Sequence, residues 1–326
     1  MPPPGPGPRP AVDPQSCSRV HDAADTPAAG TAPPSRFFLA LEQDGPWGRV
    51  AATQSRLDPA LGRLLDERCA GAQGRLALVR RPGPHPDSPS ASSRHVFLAY
   101  TGIRPWLLAG RVADPAALLQ LDLAALGAGD RARALATLPG LREHPPVLLL
   151  CTNGRRDLCC ATRGRPLALA AAAAFPDRVW ESSHTGGHRF APTGVLLPQG
   201  RYLGRLDLAL AGAALRAADR GELPTALAGS GHDRGACRLT APEQVAEATV
   251  RARIGEAVAD ALDASAWPGH PRPEGARHAD DGPATRVTVR HTDGRSWKVT
   301  VRQGTGPDLP ESCGKGAVPT RTWSVV

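Results

Sequence analysis

Soft metal ligands crowd into one short stretch of this chain. Cys151-Thr-Asn-Gly-Arg-Arg-Asp-Leu-Cys-Cys160 is followed, after an Ala-rich segment, by His184-Thr-Gly-Gly-His188. Thiolate sulfur and neutral imidazole are the side chains that best bind borderline-soft metals and the irons of iron-sulfur clusters, so the pattern reads as a metal or iron-sulfur site. Nothing else in the 326 residues concentrates such chemistry. Cys151-x7-Cys159 and Cys151-x8-Cys160 are both sterically reasonable pairs. Cys17, Cys69 and Cys237 have no partner at useful spacing and read as structural. Cys313, before Gly314-Lys315, is compatible with packing, with a nearby thiol or with no role.

The ligands need a scaffold, and the surrounding pattern is α/β. Pro146-Val-Leu-Leu-Leu150 is a short apolar run that fits a buried central strand, and Cys151 stands at its C-terminal end, where ligands collect in open α/β sheets. Pro166 to Phe175 is rich in Ala and Leu and predicts a helix with Pro166 in its first turn. Cys160 then leads a helix N-terminus, whose partial positive charge favours a thiolate. Arg178-Val-Trp-Glu181 predicts the next strand, which delivers the chain to His184. Gly186 and Gly187 make a helix over the His pair costly, so His184–His188 is expected to be a loop able to pass close to a bulky cofactor.

Elsewhere the first half alternates strands and helices. Strands are expected at Phe37–Leu41, Leu76–Val79 and His95–Tyr100, with helices over Asp58–Glu67 and Asp114–Leu126 and a Pro/Ser-rich loop from Pro82 to Ser93. After the His loop, Gly194–Leu197 and Tyr202-Leu203 predict a hairpin, and Leu206–Ala218 and Pro242–Leu262 predict helices. Arg286–Arg290, the turn Asp293-Gly294 and Trp297–Val301 are a strong hairpin signal. Residues 1–35 are rich in Pro, Ala, Gly and Asp, carry no hydrophobic period and read as disordered. A boundary falls near residue 140, after Leu138-Pro-Gly140. The segments are therefore 1–35, an N-terminal α/β domain over 36–140, a ligand-bearing domain over 141–265 and a C-terminal β extension over 280–326. No repeat between the two α/β segments can be shown from the residues.

Composition narrows the function classes. The formal charge is +8, nearly all of it Arg, with Lys298 and Lys315 the only lysines. The Arg residues are spread along the chain without stacking aromatics, which argues against nucleic acid as a partner. No run of eighteen apolar residues occurs, so no membrane span is expected. The N-terminus lacks the apolar core of a signal peptide, and a cytoplasmic location is expected. Seven cysteines in a chain of this size do not make a disulfide scaffold, and in a reducing compartment they serve as ligands, reactive thiols or buried apolar groups.

Cys151-Thr-Asn-Gly-Arg-Arg-Asp-x-Cys-Cys160, Ser183-His-Thr-Gly-Gly-His-Arg-Phe-Ala191 and Tyr202-x-Gly-Arg205 together resemble the sucrase/ferredoxin-like family, with Gly30-Thr-Ala32 and Ser312-Cys-Gly-Lys315 also similar to family segments. The resemblance implies a thioredoxin-like ferredoxin domain, a central mixed sheet flanked by helices, over 141–265. It also implies a 2Fe-2S cluster with two Cys on one iron and two His on the other, carried over here as Cys151, Cys160, His184 and His188. Cys159 stands as the alternative to Cys160, and relatives often have Arg at that position. Asn153 departs from the family, where His is frequent.

Such a cluster implies an electron carrier with proton-coupled chemistry, since imidazole titrates near neutrality and replaces thiolate charge. An unidentified redox partner protein is expected, with Arg155, Arg156 and Arg189 as charges that could dock an acidic one. Sucrose hydrolysis is disfavoured, because Asp157, Asp177 and Glu181 are not spaced as a glycosidase pair. Two rivals stand beside the electron carrier. A structural zinc site would use the same four ligands, although its Cys spacing exceeds the two to four residues usual in zinc fingers. A metal-free thioredoxin-like thiol oxidoreductase would use Cys159 and Cys160, although Cys-x-x-Cys is absent and adjacent cysteines form only a strained disulfide.

Overall fold

The computed structural model of the chain describes residues 15–84, 93–266 and 284–326. It begins with a short helix, α1 (Cys17–Ala23), on which Cys17, Ser18 and His21 are buried. The disorder expected of residues 1–35 therefore does not hold over 17–23. Positions 17 and 21 share a helical face, but Cys and His do not register as an apolar period, which is why the segment reads as patternless. Residues 1–14 and most of the loop expected over Pro82–Ser93 lie outside the described residues.

β1 (Phe37–Glu42), α2 (Pro59–Gly71) and β2 (Arg75–Arg80) form a βαβ unit with parallel strands. Asp58 caps α2 by accepting the Leu61 N–H at 2.8 Å, and Pro59 fills the first turn, where its missing donor costs nothing. β3 (Arg94–Tyr100) and β4 (Trp106–Val112) continue antiparallel, with β5 (Arg142–Glu143) at the edge. The single helix expected over Asp114–Leu126 is interrupted. Asp114 caps a 3-10 turn at Pro115–Gln120, Asp122 caps α3 (Leu123–Gly127) and Asp130 caps α4 (Arg131–Thr137), so each new cap restarts the helix.

The second half repeats this plan. β6 (Val147–Cys151), α5 (Arg165–Ala174) and β7 (Val179–Ser182) form another parallel βαβ unit, and β8 (Gly194–Leu197) and β9 (Arg201–Leu203) follow antiparallel. The arrangement β2-β1-β3-β4 thus recurs as β7-β6-β8-β9. An antiparallel β2–β7 pair, Val79 opposite Ser182 and Arg80 opposite Glu181, joins the two into one ten-stranded mixed sheet. β10 (Asp233–Ala236) forms the other edge. The duplication is one of topology, invisible in the residues because only the second copy carries Cys and His at its strand ends.

Alternate side chains of the central strands enter different cores. Phe37, Leu39 and Leu41 pack with Leu65 and Cys69 of α2. Leu148 and Leu150 pack with Ala168 and Ala171 of α5 and with Leu215 of α6 (Leu208–Ala218). The opposite faces share one core across both halves, in which Phe97 meets Trp180 edge-on with ring centroids 5.2 Å apart. Each fully buried Leu, Val or Phe there contributes about 1.5–3 kcal/mol.

The last helix, α7 (Ala241–Ile254), opens on a Thr240/Glu243 capping box and ends at Gly255 with φ +67°, short of the Leu262 expected from sequence. Leu262 instead starts β11 (Leu262–Ala266), the first strand of an antiparallel sheet with β12 (Ala284–His291), β13 (Ser296–Pro310) and β14 (Ala317–Val325). This sheet is larger than the expected hairpin because Gly304, Gly306 and Pro307 mask the continuation of β13. Val245 and Val250 of α7 pack on Val287, Val289, Val299 and Val301. Among the described residues no helix is long and apolar enough to cross a membrane.

Candidate metal centre

Parallel pairing of β6 with β7 sets Cys151 opposite Ser182, so the two strand ends, and the loops leaving them, lie at one edge of the fold. Cys151 is buried, with Sγ 3.6 Å from the Ser183 carbonyl oxygen. Beyond it the chain turns on Asn153, whose Oδ1 accepts the N–H groups of Arg155 at 3.1 Å and Arg156 at 3.3 Å while Nδ2 donates to the Gly48 carbonyl at 3.0 Å. Asn153 is thus a turn-former and not a ligand. A single π-helical turn, Cys160–Gly164, then feeds α5. Gly164 is required there: a Cβ would lie 2.3 Å from the Cys151 carbonyl oxygen. Because that oxygen is backbone and cannot swing away, Gly164→Ala is expected to push α5 off β6. A loss of about 1–3 kcal/mol is anticipated, and a melting temperature equal to wild type would refute the close-approach argument.

Consecutive residues of a helical turn point about 100° apart, and this separates the two adjacent cysteines. Cys160 turns toward Cys151. A hydrogen bond from the Cys160 thiol is the largest influence holding the Cys151 thiol well below its ordinary range, against burial and with His184 assisting. Cys160 is pushed well up by the same bond and by burial. The thiol held low is therefore Cys151 and not Cys160, where a helix start was expected to favour a thiolate, because Cys160 donates its hydrogen bond to Cys151.

The His loop has the glycine-dependent form expected. Gly186 and Gly187 have φ +83° and +71°, and a 3-10 turn over His188–Phe190 follows. Buried Arg234 anchors it, donating from Nη1 to the Gly186 carbonyl at 2.8 Å and from Nε to Thr31 Oγ1 at 3.0 Å. Arg205 fixes α1 nearby, donating to Asp22 at 2.9 Å and to the Thr26 carbonyl at 2.8 Å. The His184 and His188 ring centroids are 5.8 Å apart, and Nδ1 of each is buried without a hydrogen-bond partner among the described residues. His188 Nε2 lies 3.7 Å from Asp157 Oδ2. Burial lowers the His188 pKa, with Asp157 opposing.

Cys159 turns the other way. Its Sγ lies 3.6 Å from that of Cys17 and 3.2 Å from that of Cys313. With Asp157 these form a cluster whose ligand atoms all lie within 4.8 Å of one another, a set of side chains able to hold a metal ion. Its members come from α1, from the turn before α5 and from the β13–β14 connection. A hydrogen bond from Cys17 is the largest influence bringing the Cys159 thiol down to about 5. Cys17, expected to be structural, and Cys313, whose role was left open, are thus brought together beside Cys159. Separations of 142 and 154 residues gave spacing no means of finding this convergence; the one sequence signal was the Ser312-Cys-Gly-Lys315 segment.

The nearby carboxylates are engaged. Asp157 accepts from Cys159 N–H, Ser312 Oγ and Cys313 N–H, each at 2.9 Å. Glu181, fully enclosed, pairs with Arg80 at 2.7 Å and accepts from Thr152 Oγ1 at 2.9 Å. Beside His184 a cleft of about 210 Å³ is lined by Arg49, Arg75, Arg156, Asp66 and Ser183. Arg155 is exposed, whereas Arg189 is half-buried, with its guanidinium 4.8 Å above the Phe190 ring.

Among known proteins, the family described as sucrase/ferredoxin-like matches residues 65–217. No curated protein matches the chain, and no solved structure does.

Proposed function

Because this chain belongs, through residues 65–217, to the sucrase/ferredoxin-like family, we propose that it transfers electrons on a 2Fe-2S cluster held by Cys151, Cys160, His184 and His188. One observation carries the reading: two buried imidazole Nδ1 atoms lacking any hydrogen-bond partner among the described residues stand beside a buried cysteine pair of which one member, Cys151, is biased toward thiolate by a hydrogen bond from the other. A buried polar atom left unpaired costs about 1–3 kcal/mol, and iron ligation would remove that cost. When bound, the cluster would supply one-electron chemistry.

The protein's own groups would do the rest. Cys151 and Cys160 would provide the thiolate end. Asp157, facing His188 Nε2, favours the proton on that nitrogen and leaves Nδ1 as the lone-pair donor, as carboxylates behind metal-bound imidazoles commonly do. A proton held at Nε2 could leave or return as the charge beside the ring changes, which couples proton to electron transfer. The cleft lined by Arg49, Arg75 and Arg156 gives an acidic redox partner a complementary approach to His184.

The rivals draw less support. A single zinc ion needs its ligand atoms gathered closely around one centre, and the group whose ligand atoms all lie within 4.8 Å of one another among the described residues is the one containing Cys17, not this quartet. Thiol exchange needs an accessible sulfur, yet Cys151, Cys159 and Cys160 are all essentially inaccessible. The deciding experiment is an ultraviolet-visible spectrum of anaerobically purified protein with iron and acid-labile sulfide analysis. Brown protein with equal iron and sulfide is expected, and colourless protein free of sulfide would overturn the proposal.

A further inference from the structure

We propose that Cys17, Asp157, Cys159 and Cys313 form a second metal site, a tetrahedral one for a divalent d10 cation of the zinc class. The three sulfurs make a triangle with edges of 3.6, 3.2 and 3.6 Å, and the Asp157 carboxylate oxygens lie 3.7 and 3.8 Å from Cys17 Sγ. Zinc bonded to sulfur at about 2.3 Å in a tetrahedron sets its ligand atoms about 3.8 Å apart. The observed edges fall slightly inside that value, so a small outward movement of each thiol admits the ion. A disulfide, by contrast, needs about 2.05 Å and would leave one of the three sulfurs over.

The donor set suits zinc on chemical grounds. Three soft sulfurs and one hard carboxylate match a borderline-soft ion with no redox chemistry of its own. Cys17, Cys159 and Asp157 are buried, and S–H groups are weak donors that satisfy one another poorly. Asp157 is oriented by the backbone N–H groups of Cys159 and Cys313 and by Ser312 Oγ, as ligating carboxylates usually are. Binding balances as Zn²⁺ plus three thiols giving a zinc tris-thiolate and three protons released to water, with no change of oxidation state.

The ion would fasten α1 and the β13–β14 connection to the turn between Cys151 and Cys160. Asp157 would then be fixed from one side while it faces His188 on the other. The site is independent of the 2Fe-2S cluster, and its test separates the two. The full chain, expressed with zinc supplementation and purified anaerobically, is expected to hold about one zinc per chain in an environment of three sulfurs and one oxygen by X-ray absorption. Cys17→Ser and Cys313→Ser should each lose that zinc, while Cys151→Ser keeps it. Wild-type protein without zinc, zinc retained in both Cys17→Ser and Cys313→Ser, a Cys159–Cys313 disulfide in anaerobic peptide maps, or zinc bound by two sulfurs and two nitrogens would each overturn the assignment. Should the variants fail to fold, the wild-type absorption measurement decides alone. Zinc in a three-sulfur, one-oxygen shell with iron absent would uphold this site and remove the cluster.

Discussion

Cys160→Ser protein is expected to emerge colourless from anaerobic purification, whereas Cys159→Ser keeps the visible absorption of wild type. The contrast is strong because the two residues are adjacent and chemically identical. They differ only in direction: Cys160 faces Cys151, and Cys159 faces Cys17 and Cys313. His188→Cys sharpens the test from the other side of the site. A thiolate in place of a neutral ring adds negative charge, so the variant should retain a chromophore with its reduction potential lowered by on the order of 100–300 mV, about half the interval between Rieske-type and all-Cys clusters. Its potential should also depend less on pH, because the titrating ring facing Asp157 is gone. A potential unchanged from wild type in His188→Cys would show that His188 is not a ligand.

Glu247→Ala should destabilise the fold more than any surface substitution. Glu247 joins two fully buried guanidinium groups, accepting from Arg201 Nη1 at 2.7 Å and from Arg251 Nε at 2.7 Å. Arg201 also forks onto Asp233, with Nε 2.8 Å from Oδ1, and Arg251 reaches the carbonyls of Glu256 at 3.0 Å and Val258 at 2.8 Å. This network ties β9, β10, α7 and the chain after Gly255 together with its side chains 1–2% exposed. Removing the shared carboxylate leaves both Arg charges short of a partner in the interior, at a cost of about 3–5 kcal/mol. That corresponds to a melting point lower by roughly 10 °C for a domain of this size. A loss under about 1 kcal/mol in chemical denaturation would place the network among weak surface pairs.

The same residue sets a pH dependence. Burial pushes the Glu247 carboxyl up, but Arg201 and Arg251 prevail and bring it from 4.5 down to about 2. A depressed folded-state pKa adds stability that is present above the ordinary value and is lost as pH falls through the folded one. The contribution, on the order of 3 kcal/mol, should therefore disappear between pH 4.5 and about 2. Asp233, raised by its burial, works in the opposite sense, so the informative contrast is between wild type and Glu247→Gln. The variant's stability should fall less steeply across that window, and parallel acid limbs would exclude the assignment.

Much of the local structure was legible in the residues. The helices expected over Asp58–Glu67, Pro166–Phe175 and Leu206–Ala218 form as α2, α5 and α6. The apolar run before Cys151 is a central strand, and paired glycines keep His184–His188 as a loop. These features depend on neighbours within a turn or a strand, where spacing and chemical type suffice. Short helices with successive Asp caps, and a strand interrupted by Gly304, Gly306 and Pro307, blur that signal, and there the expected elements differ from the observed ones.

Beyond local spacing, packing took over. Residue types and order along the chain were enough to bring Cys151, the Cys159-Cys160 pair, His184 and His188 near one strand edge. They left open which sulfur faces which centre, because that depends on a helical turn packed between β6 and α1. Nor could they place Cys17 and Cys313 beside Cys159, since their partners lie 142 and 154 residues away. The lowered thiol is Cys151 for the same reason: folding brings the Cys160 sulfur close enough to donate a hydrogen bond to it. The repeated four-strand plan and the Arg201–Glu247–Arg251 network are likewise products of the assembled sheet, in which contacts between distant segments carry the energy.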